Sequence, residues 1–298
     1  MRDEKYSVIR CAVRTMYDLQ KLRIQCGNRI TAAFRYKLGL HSSDSEDSNA
    51  EAQEMLQDLR AEFSRITDGV KRITRHIEFE SPLISNYGEL CLIESYERQL
   101  EAERNHEKTI NYELDKEPLY TEYLKDIRGV GTLMSGVILS EIDIRKCNSI
   151  SALWAYSGLD TVLVTDKKTG EQRVEGRSRR EGHLVPRTYT NKKGEVKETQ
   201  GITFNPLLKT KMVGVLGDIF IKMNPDYKKI YDDYKHRLAN HPTWKDRSKL
   251  HRHNAATRYM IKMFLADLWT EWRKLEGLEV KGSYQEEVLG HRHHTKAA

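Results

Sequence analysis

The sequence predicts a mostly α-helical protein with a small β-hairpin region. Three observations carry this prediction. Apolar residues recur at helical spacing near both ends of the chain, two short alternating stretches with glycine turns lie between residues 159 and 201, and a Gly129-Val130-Gly131 turn separates two apolar segments. We predict a helical N-terminal region (1–87), a long charged helix (88–120), a helix-hairpin-helix domain with an inserted basic β-ribbon (121–281) and a disordered tail (282–298).

The first 120 residues are predicted to form three helices. Residues 1–40 carry an apolar stripe at helical spacing, and residues 41–49 are polar and acidic, as expected of a linker. A second helix is predicted from about residue 50 to residue 77, followed by a break at Ser81-Pro82. Residues 88–117 have a thin apolar seam between charged residues, which fits a helical hairpin or dimer arm and equally fits a solvated surface helix.

The chain is organised around the segment 123–159, in which Leu124 and Ile127 lead into the glycine turn. Thr132 is expected to cap the apolar run that follows, and both glycines are expected to allow a positive φ and a close backbone approach to another molecule. The free N–H groups of this turn would bind an anion, most simply a backbone phosphate; the alternative is a structural corner that binds nothing. The candidate phosphate-binding residues are Lys125, Arg128, Gly129, Val130, Gly131 and Thr132.

The positive charge of the chain is concentrated in one segment. The formal net charge is +6, and residues 161–211 contain twelve basic residues against six acidic ones, so this segment alone carries an equivalent excess. Two β-hairpins are predicted here, with turns at Lys168-Thr169-Gly170 and at residues 191–194. A basic ribbon beside a phosphate-binding turn indicates a nucleic-acid surface, whereas the alternative is a solvated excursion that serves solubility. The candidate contacts are Arg177, Arg179, Arg180, Lys192, Lys193 and Lys209.

The remaining features limit the class of protein. Helices are predicted at 206–223, at 226–238 and at 253–274, and the apolar stripe of the last one is typical of a core. The sequence has no C-x-x-C pair, so we expect no metal site. It has no apolar run long enough to span a membrane and no recognisable signal peptide, so we expect no membrane partner and a cytoplasmic location. The cysteines lie far apart, at Cys11, Cys26, Cys91 and Cys147.

The order of these motifs resembles the C-terminal domain of the serine-dependent insertion-sequence transposases, the bridge-RNA-guided recombinases. That family has a charged coil, a proline, L-x-x-I-P-G-I-G, an apolar helix ending in acid-Ile, Y-x-G-L, a basic hairpin, G-x-I-S-K-x-G-N-x-x-L-R and a last helix rich in Ala, Arg and Leu. The resemblance covers residues 88–275. The corresponding segments are 97–118, 124–131, Glu141-Ile142, 156–159, the ribbon, 201–209, 224–238 and 255–269.

The resemblance also implies two departures from the family. Family members begin with a RuvC-like domain whose carboxylates bind Mg²⁺, whereas the early acids here, Asp3, Glu4 and Asp18, follow no predicted strand. We therefore expect that domain to be absent or replaced. Mg²⁺ is expected as a cofactor only if the protein is catalytically active with a partner that supplies the metal site. The family's serine nucleophile corresponds either to Thr203 or, in a rival alignment, to Ser178 among three arginines.

Three hypotheses follow for the function. The first is a transposase-derived DNA-binding protein that grips DNA without independent cleavage. The second is an active recombinase that forms a covalent intermediate between DNA and the hydroxyl of Ser178 or Thr203. The third is a helical scaffold or oligomerisation protein. The expected partner is DNA, with structured RNA as a further candidate, and the resemblance implies a homo-oligomer associated with the nucleoid.

Overall fold

A computed structural model of the chain describes residues 4–40, 48–165 and 170–280. The predicted tail, most of the predicted 41–49 linker and the turn residues Lys168 and Thr169 lie outside these ranges. The chain divides into two compact units, Cys11–Tyr112 and a second unit made of Met1–Arg10 with Glu113–Ala298. The domain boundaries drawn from the sequence stay predictions. The predicted fold class is confirmed at the level of a mostly helical protein with two small antiparallel hairpins.

Three helices form the Cys11–Tyr112 unit: α1 (Ser7–Lys37), α2 (Ser48–Thr67) and α3 (Tyr87–Leu114). The prediction that the second helix extends to residue 77 is wrong, because α2 ends at Thr67 and Gly69 follows with a φ of +71°. A glycine in this left-handed conformation commonly terminates a helix. The buried core of this unit comprises Ile30, Phe34, Leu59, Ile84, Leu90, Ile93 and Tyr96.

The second unit is built around the last helix, α10 (Lys249–Leu275), which packs against α6 (Ile150–Tyr156), α8 (Gly217–Met223) and α9 (Pro225–Asn240). The predicted core stripe is confirmed, since Phe264, Leu268 and Trp269 are fully buried. The helix begins four residues earlier than predicted because the Ser248 hydroxyl accepts a hydrogen bond from the His251 N–H and so caps it. No helix within the described residues is both long and apolar enough to cross a membrane.

The helix that follows the ribbon begins at a buried polar cluster. Helix α7 (Pro206–Lys209) continues through a wider π-helical turn, Thr210–Leu216, into α8. Asn205 caps α7 through its side-chain oxygen, and its side-chain nitrogen donates to Glu141 Oε2 at 2.7 Å and to Tyr156 Oη at 3.0 Å. The acid of the acid-Ile motif, the tyrosine of Y-x-G-L and the asparagine before α7 therefore contact one another. A buried carboxylate requires such hydrogen-bond donors.

Two antiparallel hairpins form the predicted ribbon. Strand β1 (Thr161–Thr165) pairs with β2 (Gln172–Gly176), and β3 (Val185–Thr190) pairs with β4 (Val196–Gly201). In the second hairpin the Asn191 side-chain oxygen accepts hydrogen bonds from two backbone N–H groups of the turn. Both hairpins are confirmed as two-stranded sheets, and the second one is exposed along nearly its whole length.

The glycine turn lies between short elements. Helix α4 (Pro118–Glu122) and a single 3₁₀ turn precede it, and α5 (Thr132–Glu141) follows it, so the leading segment is not one continuous helix. The expectation of positive φ is confirmed for Gly129, at +99°, and is wrong for Gly131, which has a φ of −87°. The expected N-cap is also wrong, because Gly131 and not Thr132 is the N-cap of α5. A Cβ on Gly129 would lie 2.9 Å from Ile219 Cγ2. Gly129 therefore allows a close approach to α8 rather than to another molecule.

Replacing Gly129 by alanine is expected to destabilise the protein by about 1–3 kcal/mol, because a side chain at this positive φ is strained and meets Ile219. The matched control is Gly131→Ser, which occupies open space at an N-cap position and should leave stability unchanged or slightly higher. Thermal unfolding of the two variants measures the difference. Equal melting temperatures would show that the turn is not packed on α8 in this way.

Candidate functional site

A large cleft of the second unit lies between the first hairpin, the loop that joins α9 to α10, and the first half of α10. Its volume is 840 Å³. Among the described residues that line it, Glu175 is the single acidic one. The basic residues that line it are Arg173, Arg180, Arg247, Arg258 and Lys262. We call this the basic cleft, and its excess of positive charge makes it an anion-binding surface.

One wall of the basic cleft carries a hydroxyl, an imidazole and a carboxylate in sequence. Ser178 Oγ lies 3.1 Å from His183 Nδ1, and His183 Nε2 lies 3.2 Å from Glu175 Oε2. His183 is only 2% exposed, whereas Ser178 is half-buried and lines the cleft. Strand β2 positions Glu175, and a 3₁₀ turn at Glu181–His183 brings the imidazole back towards the serine.

The hydrogen bonds assign the protons of this group. The Ser178 backbone N–H donates to His183 Nδ1 at 3.0 Å, so Nδ1 is an acceptor and the ring proton lies on Nε2. The protonated Nε2 then donates to Glu175, and the Ser178 hydroxyl, when it donates to Nδ1, shares the single Nδ1 lone pair with that N–H. A hydroxyl next to an unprotonated imidazole nitrogen, with a carboxylate behind the ring, is the arrangement that activates a nucleophile.

Arg177 holds the serine-bearing loop in place. Its guanidinium pairs with Asp160 Oδ2 at 2.8 Å from Nη2, and Nη1 donates to the His183 carbonyl at 3.3 Å. Its own carbonyl accepts a hydrogen bond from the Lys209 ammonium, which also lies 4.8 Å from the centre of the Phe204 ring. Arg177 and Lys209 were predicted to contact phosphate, but in the structure their polar groups chiefly support the Ser178 loop.

Lys209, Arg258 and Lys262 are partly buried cations at or near the basic cleft, and they have little negative charge close by. Burial, with the Arg258 charge as the next cause, lowers the pKa of Lys209 to about 8. Burial also lowers the pKa of Lys262 and that of Arg258, and Asp160 is the nearby acid that opposes these shifts. The Lys262 ammonium lies 5.0 Å from the Trp154 ring centre and has no hydrogen-bond or ion-pair partner within the described residues. Cations held in this way favour a bound anion.

Aromatic side chains line the other end of the basic cleft. Tyr234 and Tyr259 stack with their ring centres 4.0 Å apart, and the Arg237 guanidinium carbon lies 4.5 Å from the Tyr234 ring centre. Trp244, from the α9–α10 loop, lies 5.4 Å from His251 with the two rings inclined at 60°. The cleft therefore combines cations, a hydroxyl and flat apolar surfaces.

The predicted site residues do not form one surface. Ser178 and Arg180 line the basic cleft, whereas the turn residues 125–132 and the exposed Lys192 and Lys193 of the second hairpin do not. Lys125, Arg128, Arg179 and Thr203 are exposed, and Val130 is buried. Thr203 lies outside the basic cleft, and among the described residues it has no imidazole or carboxylate partner of the kind that Ser178 has. Of the two candidate hydroxyls, Ser178 is therefore the one that lies beside an imidazole, and a catalytic role for either stays a prediction.

Sequence reasoning missed Glu175, His183, Arg258 and Lys262. The spacing Glu175-x-x-Ser178-x₄-His183 was visible, but it signals contact only once the hairpin and the 3₁₀ turn are known. The two α10 cations alternate with the core stripe, and nothing local in the sequence separates them from solvent-facing charges. Comparisons of this chain with protein-family models, with curated proteins and with solved structures find no match. The resemblance noted from the sequence therefore stays a prediction.

Proposed function

We propose that this protein binds DNA, with the basic cleft of the second unit as the main phosphate-binding surface. The observation that carries the proposal is the set of cations lining the cleft against one carboxylate, Glu175, with the unpartnered Lys262 ammonium among them. Phosphate contacts from arginine and lysine supply most of the affinity of DNA-binding proteins. The resemblance to the insertion-sequence transposases points to the same class of ligand.

Two further surfaces would extend the contact along the DNA backbone. The first-turn N–H groups of α5 have no acceptor inside the helix, and the exposed N-cap Gly131 leaves them open to a phosphate. This is how a helix-hairpin-helix would act here. Lys192 and Lys193 lie at the exposed turn of the second hairpin, where a duplex can reach them. These contacts position the DNA without reading its sequence.

The proposal predicts a steep dependence of DNA affinity on salt. For about four phosphate contacts, the dissociation constant should rise roughly 100-fold between about 50 and 200 mM salt, because each contact releases counterions. Fluorescence anisotropy with a labelled duplex and the full-length chain measures this slope. A scrambled duplex should bind equally well. Absent binding, or binding with no salt dependence, would favour the helical scaffold instead.

The geometry at Ser178 favours a second candidate function, strand transfer through a covalent intermediate. In that step the Ser178 Oγ–P bond forms and the bond from phosphorus to the leaving oxygen breaks, while the serine proton passes to His183 Nδ1 and from there to the leaving oxygen, which becomes the hydroxyl of the freed strand end. Glu175 then stabilises the protonated imidazole through Nε2. Arg180, whose backbone N–H donates to Ser178 Oγ at 3.3 Å, holds the hydroxyl beside a cation that can neutralise the phosphate.

A further inference from the structure

The aromatic end of the basic cleft has a rigid tryptophan. Trp244 is half-buried and sits in the loop between α9 and α10, whose Lys245 and Arg247 carbonyls both accept hydrogen bonds from Arg252 Nη1, at 2.6 and 2.8 Å. The Trp244 backbone N–H donates to the His241 carbonyl at 3.0 Å. The backbone that carries the indole is therefore held by hydrogen bonds from Arg252 and within the loop.

The polar groups beside this tryptophan are unused. The Trp244 indole N–H and the Asn254 side-chain amide line the cleft, and neither has a hydrogen-bond partner within the described residues. The indole and the His251 ring are inclined at 60°, so the histidine does not lie flat against the indole. A flat ligand with hydrogen-bonding edges would satisfy all three features. A nucleobase is such a ligand, since every base has a π-face and a polar edge.

We propose that the basic cleft accepts an unpaired DNA nucleotide, with its base against Trp244 and its phosphate against Lys262 and Arg258. This inference rests on the proposed DNA binding and narrows it to a substrate class. The bases of an intact duplex are paired and stacked, so they cannot reach an aromatic side chain inside a cleft. Unstacking a base that is already unpaired costs little free energy. The 840 Å³ volume lies within the range of ligand-binding cavities.

The same placement would present a phosphate to Ser178. Lys262, Arg258 and Ser178 line the same cleft as Trp244, so a nucleotide bound there would have its backbone in the cleft that holds the hydroxyl. Unpaired nucleotides occur at bulges, branches and strand ends. The cleft would therefore direct the protein to distorted or branched DNA in preference to regular duplex.

The test compares the full-length chain on a regular duplex and on the same duplex with a one-nucleotide bulge. The parent is expected to bind the bulged DNA more tightly, on the order of 5- to 100-fold, the range for stacking one base on an aromatic side chain. Trp244→Ala should remove this preference, and Trp244→Phe, which keeps an aromatic face, should retain it. Tyr36→Ala, at a 78% exposed position on α1, is the matched control and should leave the preference unchanged.

Tryptophan fluorescence gives a second readout. The other three tryptophans, Trp154, Trp269 and Trp272, are at most 8% exposed, so quenching by a stacked base should come from Trp244 and vanish in Trp244→Phe. Equal binding of bulged and regular duplex, with no quenching, would overturn this inference and leave DNA binding intact. If the protein bound neither DNA in a salt-sensitive way, both this inference and the proposed DNA binding would be overturned. A bulged RNA duplex bound more tightly than the bulged DNA would overturn the assignment to DNA.

Discussion

Changing Ser178 to alanine is expected to abolish covalent attachment to DNA while leaving DNA affinity within about twofold, since the hydroxyl makes no charged contact with phosphate. The assay is a denaturing gel of full-length protein incubated with branched DNA and Mg²⁺. A fluorophosphonate probe tests the same hydroxyl without DNA: the Ser178 Oγ–P bond forms, the P–F bond breaks, and the proton passes to His183. Labelling should fall to background in the variant.

Three further variants separate an activated serine from a merely exposed one. His183→Gln should slow labelling by about 10²- to 10⁴-fold, because a general base contributes that much. Glu175→Gln should have a smaller effect, because it keeps the hydrogen bond to Nε2 but loses the charge. Thr203→Ala should change nothing. Two outcomes would exclude the strand-transfer function and leave the proposed DNA binding unaffected. In the first, Ser178→Ala is labelled as strongly as the parent, and in the second the parent shows neither labelling nor a DNA adduct. Thermal unfolding shows whether each variant is folded.

A Lys262→Met variant is expected to be more stable than the parent and to bind DNA about 10- to 100-fold more weakly. Methionine keeps the packing of the lysine stem and removes a partly buried ammonium that forms no ion pair within the described residues, so the free energy of unfolding should rise by roughly 0.5–2 kcal/mol. The expected loss of affinity corresponds to one hydrogen bond between the Lys262 ammonium and a phosphate, because a hydrogen bond to a charged group contributes about 1.5–3 kcal/mol. The salt slope should fall by about one phosphate contact.

The stability gain of Lys262→Met should also depend on pH. Burial lowers the pKa of Lys262 below its ordinary value of 10.5, so between these two pKa values the unfolded chain binds more protons than the folded one. The stability of the parent therefore rises with pH through that window, and the advantage of the variant shrinks there. Lys108→Met, at an exposed position on α3, is the control for both measurements. A destabilised Lys262→Met variant, or one with unchanged DNA affinity, would contradict the proposed role of Lys262.

The regular elements of this protein were predictable because local patterns determine them. The seam of α3, the core stripe of α10 and the glycine turn of the second hairpin each lie within a short stretch of sequence, and all three elements form within a few residues of their expected bounds. The end of α2 was missed because the break comes from Gly69 in a left-handed conformation and not from the later proline. A single glycine inside a helical pattern gives a weaker signal than a proline does.

The sequence by itself indicated most of the helices, the two hairpins, the concentration of positive charge after residue 160 and the candidate hydroxyls. Only the tertiary structure shows how the surroundings of those hydroxyls differ, because His183 and Glu175 reach Ser178 through a hairpin and a 3₁₀ turn, whereas the described residues provide Thr203 with no such neighbours. It also placed Lys262 of α10 and Ser178 in the lining of one cleft and turned Gly129 towards Ile219. Periodicity reports which residues share a face of one element. Which faces meet depends on the packing of elements that are distant in sequence.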